Sequence, residues 1–417
     1  MRGPLMAIAA SAALGVGIAE AIPASARTER AKASTAASVL GNKDVAKGKP
    51  VLFGAINIET QASANFPEVR EAANAMINYV NTYRGGLNGH PIKVKWCITD
   101  GSPSVSSSCA KQLIAAHPVA ILGAADISGA APLSLYAKAH LAVIGGTNFT
   151  PPESTAKNSL IFTDVASFSN IQNALWAAHL GGGKKAKVAV LAEGDAQGEF
   201  QASSSWVPAV QSVGGQVKVF DMPPSASDLS ADIEAAISWG ANSIGLESPG
   251  QCVQLLTGLK TDGWTGPVTS IDPCSAPPTI QAANGAANGM YFMGSLQLLN
   301  SGTPDAKLAA AIIAKYAPKL PYDSPAAEEL STVMNIWSAF HATPIKKLTS
   351  AHMLRTLRSG QNHPNFLSVP YTCNGKAIPN YPDVCDSNYY LYQIKNGQSM
   401  RVGKKVYNGG ANLIKAS

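Results

Sequence analysis

The chain lacks the short signatures that usually announce catalysis. There is no G-x-S-x-G elbow to present a nucleophilic serine and no H-E-x-x-H pair to hold zinc. Seven histidines are scattered, none lies close to a cysteine, and no C-x-x-C occurs, which argues against a zinc site. The run Gly181-Gly182-Gly183-Lys184-Lys185 has neither the spacing nor the Ser/Thr of a phosphate loop, and it precedes a strand pattern instead of a helix. Where a dinucleotide fingerprint would follow the first strand, Asn57-Ile58-Glu59-Thr60 stands in its place. Charge is sparse as well. Only 14% of residues are charged, the net charge is +6, and no basic stripe interleaves with aromatics, so a nucleic-acid partner is not expected. Beyond the N-terminus no apolar run is long enough to span a bilayer. These absences point to no enzyme, no cofactor and no metal.

What is present is material for packed cores. Apolar residues make up 46% of 417, and that length suggests two or three domains. Met1-Arg2, an apolar run from Leu5 to Ala19 and the small residues Ala24-Ser25-Ala26 read as a secretory signal over residues 1–26, with a retained membrane anchor as the competing reading. No cysteine lies near the cleavage site, so lipoprotein anchoring is not expected, and a secreted or periplasmic, cell-envelope location is. Residues 27–48, rich in Ala, Ser, Thr and Lys, read as a flexible leader. Export makes the six cysteines intelligible as disulfides. They fall into three close sequence pairs, and the bridges expected are Cys97–Cys109, Cys252–Cys274 and Cys373–Cys385, although six cysteines allow fifteen connectivities.

The mature chain opens with a strand, Val51 to Ile58, a polar loop, Glu59 to Asn65, and a helix on which Val69, Ala72, Ala73, Met76 and Val80 recur at three- and four-residue steps. The turn Arg84 to Gly89 and a strand from Ile92 to Ile98 complete a βαβ unit. Helices at Ser107 to Ala116 and Ala131 to His140 alternate with short strands, Val119 to Leu122 and Ala142 to Ile144. The polar loops Gly123 to Ser128 and Gly145 to Pro152 trail those strands. A second α/β run is expected to begin with an isolated strand, Leu160 to Thr163. Its later strands, Lys187 to Leu191, Ser243 to Leu246 and Val268 to Ile271, end at Glu193 to Gly198, Glu247 to Gln251 and Asp272-Pro273-Cys274. From Gly289 the pattern breaks into two helices, Asp305 to Tyr316 and Ala326 to Thr343. A turn-rich tail follows, with Asn374-Gly375 and Asn396-Gly397 as hairpin signals. Ligands on parallel sheets sit beyond the carboxyl ends of strands, so these loops are the functional candidates.

Several stretches together resemble the type I periplasmic solute-binding proteins of ABC importers, of the branched-chain amino-acid type. They are Asn78 to Asn81 running into Arg84 to Gly89, Val119 to Gly123, the Pro-Glu loop Pro151-Pro152-Glu153, Glu193 to Gly198, and Gln254 to Leu256 through Gly263-Trp264. The resemblance implies an α/β fold of two Rossmann-like lobes, joined by a three-segment hinge with the ligand cleft between them. Residues 49–164 with 294–365 would form lobe 1, residues 165–293 with 366–417 lobe 2, and the crossings would fall near Asp164, Met293 and Phe366. It further implies a monomer that captures a small polar solute and delivers it to a membrane permease. An extracellular sensor and an exported α/β enzyme are the alternatives.

Carried across by position, the ligand-contacting residues would be Asp126, Ile127, Ser128, Thr147, Asn148 and Phe149 in lobe 1, and Gln197, Glu247, Ser248 and Asp272 in lobe 2. Glu59 joins them from the strand-end argument. Two departures stand out: Asp126-Ile127-Ser128 replaces adjacent serines or threonines, and Gln197 replaces an aromatic. With Glu193 and Asp195, these acids favour a solute carrying donors, such as an amine, amide, urea or polyol, over a standard α-amino acid. The plainer role for each acid is a solvated loop carboxylate or a helix cap.

Overall fold

The computed structural model describes residues 38–61, 65–147, 149–163, 166–322, 324–378 and 381–408. The expected signal, residues 27–37 of the leader, the crossing at Asp164 and the candidate Asn148 lie outside the described residues. Residues 1–39 form one unit, and residues 40–417 form a second that holds every element below.

A five-stranded sheet takes up β1 (Val51–Ile58), β2 (Ile92–Thr99), β3 (Ile121–Leu122), β4 (Val143–Ile144) and β5 (Ser159–Leu160), in the order β2-β1-β3-β4-β5. Every pairing in it is parallel. β1 is the continuous apolar run expected of a strand covered on both faces, and all its residues but Leu52 are buried. The helix Pro67–Tyr83 makes the crossover to β2 and buries Val69, Ala72, Ala73, Met76 and Val80. Pro67 in its first turn forfeits only an N–H that the helix could not use.

The second sheet has eight strands: β6 (Lys187–Glu193), β7 (Gln216–Met222), β8 (Ser243–Glu247), β9 (Val268–Ser270), β10 (Tyr291–Gly294), β11 (Asn388–Lys395), β12 (Gln398–Arg401) and β13 (Tyr407–Asn408). The order β7-β6-β8-β9-β10 is parallel, and β11 then adds antiparallel to β10 with β12 and β13 on it. The Asn396-Gly397 hairpin joins β11 to β12, both residues at positive φ (51° and 71°), as a two-residue turn of matching twist requires. Between β10 and β11 the helices Pro304–Tyr316 and Ser324–Phe340 pack on Pro67–Tyr83, beside the first sheet. The chain therefore passes from one sheet layer to the other three times.

Three expectations need correction, and one helix was missed. The strand near Leu160 is not isolated: Ser159–Leu160 pairs with β4 as the edge of the first sheet, because its apolar residues are buried there. Asn374-Gly375 joins no strands; it is a bend inside the loop closed by Cys373–Cys385. The helix expected from Ser107 starts at Pro103, where the Ser102 hydroxyl accepts from Val105 N–H at 3.4 Å and sets the boundary earlier. An amphipathic helix at Ser350–Ser359 was not anticipated; it buries Met353 and Leu357, and the Ser350 hydroxyl donates to Val119 O while accepting from Ala142 N–H. All three expected disulfides are formed, each with sulfurs within 2.07 Å.

Candidate functional site

Strand order singles out two places. In the first sheet the chain leaves β1 for β2 on one side and returns to β3 on the other. In the second it does the same around β6, between β7 and β8. At such switch points the trailing loops diverge and leave a crevice at the carboxyl ends of the strands. The loops concerned are those after Ile58 and Leu122, and those after Glu193 and Glu247.

At the first crevice a buried residue overlooked in the sequence, Asn57, ties the loops together. Its Oδ1 accepts from Ala125 N–H at 3.3 Å, while its Nδ2 donates to Glu59 at 3.0 Å and to Phe66 O at 2.8 Å. Glu59 is engaged through both oxygens by the Arg70 guanidinium, at 2.7 and 2.8 Å. Burial would raise the Glu59 pKa, but the bonds from Arg70 and Asn57 hold it below its ordinary value. The structure thus uses this acid to fix the loop.

Asp126 turns inward. Its Oδ1 accepts from the Ser106 hydroxyl at 3.1 Å and from Ser128 N–H at 3.0 Å, while Oδ2 is buried without a hydrogen-bond partner among the described residues. It lines a pocket of about 40 Å³ with Tyr136 and Glu153, room for little more than a water. Burial raises its pKa against those two bonds. The Ser128 hydroxyl donates to Gly101 O, and Ile127 packs against the cluster of Ile58, Val69 and Ala125, as does Phe149. Phe149 stacks on Phe66 with centroids 6.4 Å apart, and the Thr147 hydroxyl donates to Glu328. Glu153, quoted above only as part of a family motif, accepts from the Thr150 hydroxyl and N–H and from Phe149 N–H, so it caps the helix Pro151–Thr155. Burial pushes its pKa up to about 7 despite these bonds.

At the second crevice Glu193 bridges the strands, accepting from the Ser248 hydroxyl and Gly250 N–H, both at 3.3 Å. Glu247 is buried and accepts from Trp206 Nε1–H at 2.6 Å; burial lifts its pKa to about 8, against that bond and one from Asn170. Asp195 has the plain role, capping the helix Ala196–Gln201 through Gly198 N–H at 2.8 Å. Gln197 lies in that helix's first turn; its side chain is outside the described residues. Asp272 follows β9 at the carboxyl edge, in a short 3-10 turn. The structure therefore gathers Asp126, Ser128 and Phe149 near the first crevice and Glu193 and Ser248 at the second. Most of the acids there already have donors. Asn57, Trp206 and Glu328 were missed, and only the polar residue inside an otherwise apolar β1 could have signalled the first.

Among the described residues no helix is long and apolar enough to cross a membrane, and no cluster of three or more metal-ligating side chains occurs. The family profile described as "Periplasmic binding protein" matches residues 56–398. Solved structures are similar over most of the chain. A leucine-binding protein from Thermotoga maritima is 16% identical, covers 86% of this chain and 99% of its own, and has a TM-score of 0.68. A fatty acid ABC transporter substrate-binding protein from Thermomonospora curvata is 18% identical over 87% and 95%, with a TM-score of 0.70. An ABC transporter substrate-binding protein from Desulfitobacterium hafniense, solved in complex with Leu, is 14% identical over 85% and 100%, with a TM-score of 0.65. A search by sequence among curated proteins gave no match. With the profile spanning most of the chain and both parallel sheets ordered around central switch points, the chain belongs to the periplasmic binding protein family and has its type I fold.

Proposed function

We propose that the chain is an exported, monomeric solute-binding protein that closes on a small polar solute and hands it to the membrane permease of an ABC importer. The observation that carries this reading is the pair of switch-point crevices, one on each parallel sheet, at the strand ends where ligands of such sheets bind. Lobe 1 would comprise residues 49–164 with 294–365, and lobe 2 residues 165–293 with 366–417, hinged where the chain crosses between layers. Neighbouring crossing segments are bonded there: Gln297 N–H donates to Leu367 O and Cys385 N–H to Ile161 O. Closure would be favoured only when one solute contacts both lobes, since a ligand shifts an equilibrium by its differential affinity for the two states.

The residues proposed to face the solute are Ile127, Ser128, Thr147, Asn148 and Phe149 on one side and Gln197, Ser248 and Asp272 on the other. Asp126, Glu59, Glu193 and Glu247 position the loops through the bonds described above. Small-angle scattering of the purified protein, alone and with a panel of amines, amino acids, amides and polyols, tests this. At least one solute should reduce the radius of gyration; no compaction with any member, in protein shown to be ligand-free by native mass spectrometry, would overturn capture by closure.

A further inference from the structure

The amino ends of the first sheet's strands lie opposite its crevice, and there the fold gathers a charge that no short stretch of the sequence displays. Parallel strands joined by helices bring the start of each strand and the end of each helix to one edge. Lys47 and Lys49 precede β1, His90 precedes β2, and Arg84 follows the helix Pro67–Tyr83. The helix Ser324–Phe340 ends at the same edge, because Trp337 Nε1–H donates to Arg84 O at 3.2 Å and His341 O accepts from Asn88 N–H at 2.7 Å. Ser350 bonds Val119 ahead of β3, which places Lys346 and Lys347, just before it, on that edge as well.

These four lysines and Arg84 are exposed, and none is ion-paired with a described residue. Residues 43–50, 84–91 and 341–349 hold a single acid, Asp44. The carboxylates of this layer stand at the other end of the strands, where Glu59, Asp126 and Glu153 lie. Helix ends carry only a partial negative charge, too little to answer so many cations. A concentration of one sign on one face attracts a partner of the other.

Aromatic rings are set among these cations. The Arg84 guanidinium lies 5.5 Å from the ring centroids of both Tyr79 and Trp337, and the Trp337 ring stacks on His341 at 4.8 Å. Lys315, in the last turn of the helix Pro304–Tyr316, lies 5.8 Å over Tyr83. Half-buried Trp337 and Tyr83 beside Lys and Arg suit a boundary with charge above and hydrocarbon beneath, which is the headgroup region of a bilayer. A nucleic-acid duplex offers phosphates with no such layer beneath them.

We propose that this basic, aromatic-studded edge of the first sheet docks on an anionic phospholipid surface. Docking there leaves the loops at the opposite edge free to take a solute, and it uses none of the residues proposed to face one.

Sedimentation with vesicles tests this, using the chain without residues 1–26, since every element above lies within residues 40–417. The protein should pellet with phosphatidylcholine vesicles containing about 30% phosphatidylglycerol and stay in solution with phosphatidylcholine alone. Raising sodium chloride from about 50 to about 500 mM should release it as the Debye length shortens. Lys346→Glu with Lys347→Glu should weaken binding about twentyfold or more, since each lysine near such a surface contributes about fivefold. The same reversal at Lys184 and Lys185, in the turn before β6 of the second sheet, changes the net charge equally and should leave binding within about twofold. If the first pair fails to fold by circular dichroism, Lys47→Glu with Lys49→Glu takes its place. Equal weakening by the two pairs, equal binding to both vesicles, or no binding at low salt overturns the proposal. So does binding to a DNA duplex with none to vesicles, which would make the edge a general polyanion site.

Discussion

Asp126 concentrates a conflict between charge and burial. One of its carboxylate oxygens serves Ser106 and Ser128, the other meets no donor among the described residues, and burial raises its pKa. Asp126→Asn keeps an acceptor for both donors while removing a charge that the interior does not compensate, so it should raise the melting temperature at pH 8. Asp126→Ala strands the two donors and should cost about 1–3 kcal/mol. Urea unfolding of both variants checks the pair, and a less stable Asn variant would show that the ionised carboxylate matters beyond these bonds. That Asp126 lies at a strand end was legible in the sequence. That it turns inward was not, because its orientation depends on Ser106, which lies on the helix that starts at Pro103 and reaches the loop only after packing. Glu59 repeats the lesson, its partner Arg70 lying on the following helix.

At the scale of elements, the helical stretch from Ala196 to Ser212 departs from regular winding to fit its neighbour. Residues Ala202–Trp206 form a π segment, with Val207 N–H bonding Ala202 O. Pro208 follows after Val207; it lacks an N–H, and its ring would crowd the carbonyl four residues back, which a locally wider turn relieves. The segment delivers Trp206 to β8, where the ring lies over Gly245 and its N–H reaches Glu247. A Cβ on Gly245 would collide with the Trp206 ring. Gly245→Val should therefore cost about 1–3 kcal/mol or more through overpacking, and adding Trp206→Leu should recover part of it. Thermal melts of the single and double variants test the fit, and additive losses would mean that the ring is not the obstacle. The sequence indicated the helix and the strand but not the π segment, since the reason for it lies in the neighbour across the layer.

For the whole molecule, buried carboxyls make stability depend on pH. Burial holds Glu153 and Asp386 near pKa 7 and Glu247 near 8, and it raises Glu329 well above its ordinary value. Carboxyls in the unfolded chain titrate near 4. Between those limits the fold binds more protons than the unfolded chain, so its stability is greatest near pH 4–5 and falls as pH rises to about 8. Below that range Glu59, whose pKa is lowered, works in the opposite sense and its contribution is lost on acidification. The melting temperature should thus be higher at pH 5 than at pH 8, and Glu247→Gln should flatten the slope. A melting temperature that rises steadily from pH 5 to pH 8 would refute this.

The sequence by itself determined the alternation of strands and helices, the three cysteine pairs and the loops on which a site could be built. Those features follow from periodicity, turn chemistry and short closures, which act over a dozen residues or so. Tertiary structure decided the rest. It set the strand order that creates switch points, the edge placement of Ser159–Leu160 and the inward turn of Asp126. Each of these depends on residues far apart in the chain meeting across a sheet or between layers, and only the folded molecule fixes which of them meet. The sequence therefore located the strand-end loops, while packing decided which of their polar atoms have donors within the fold.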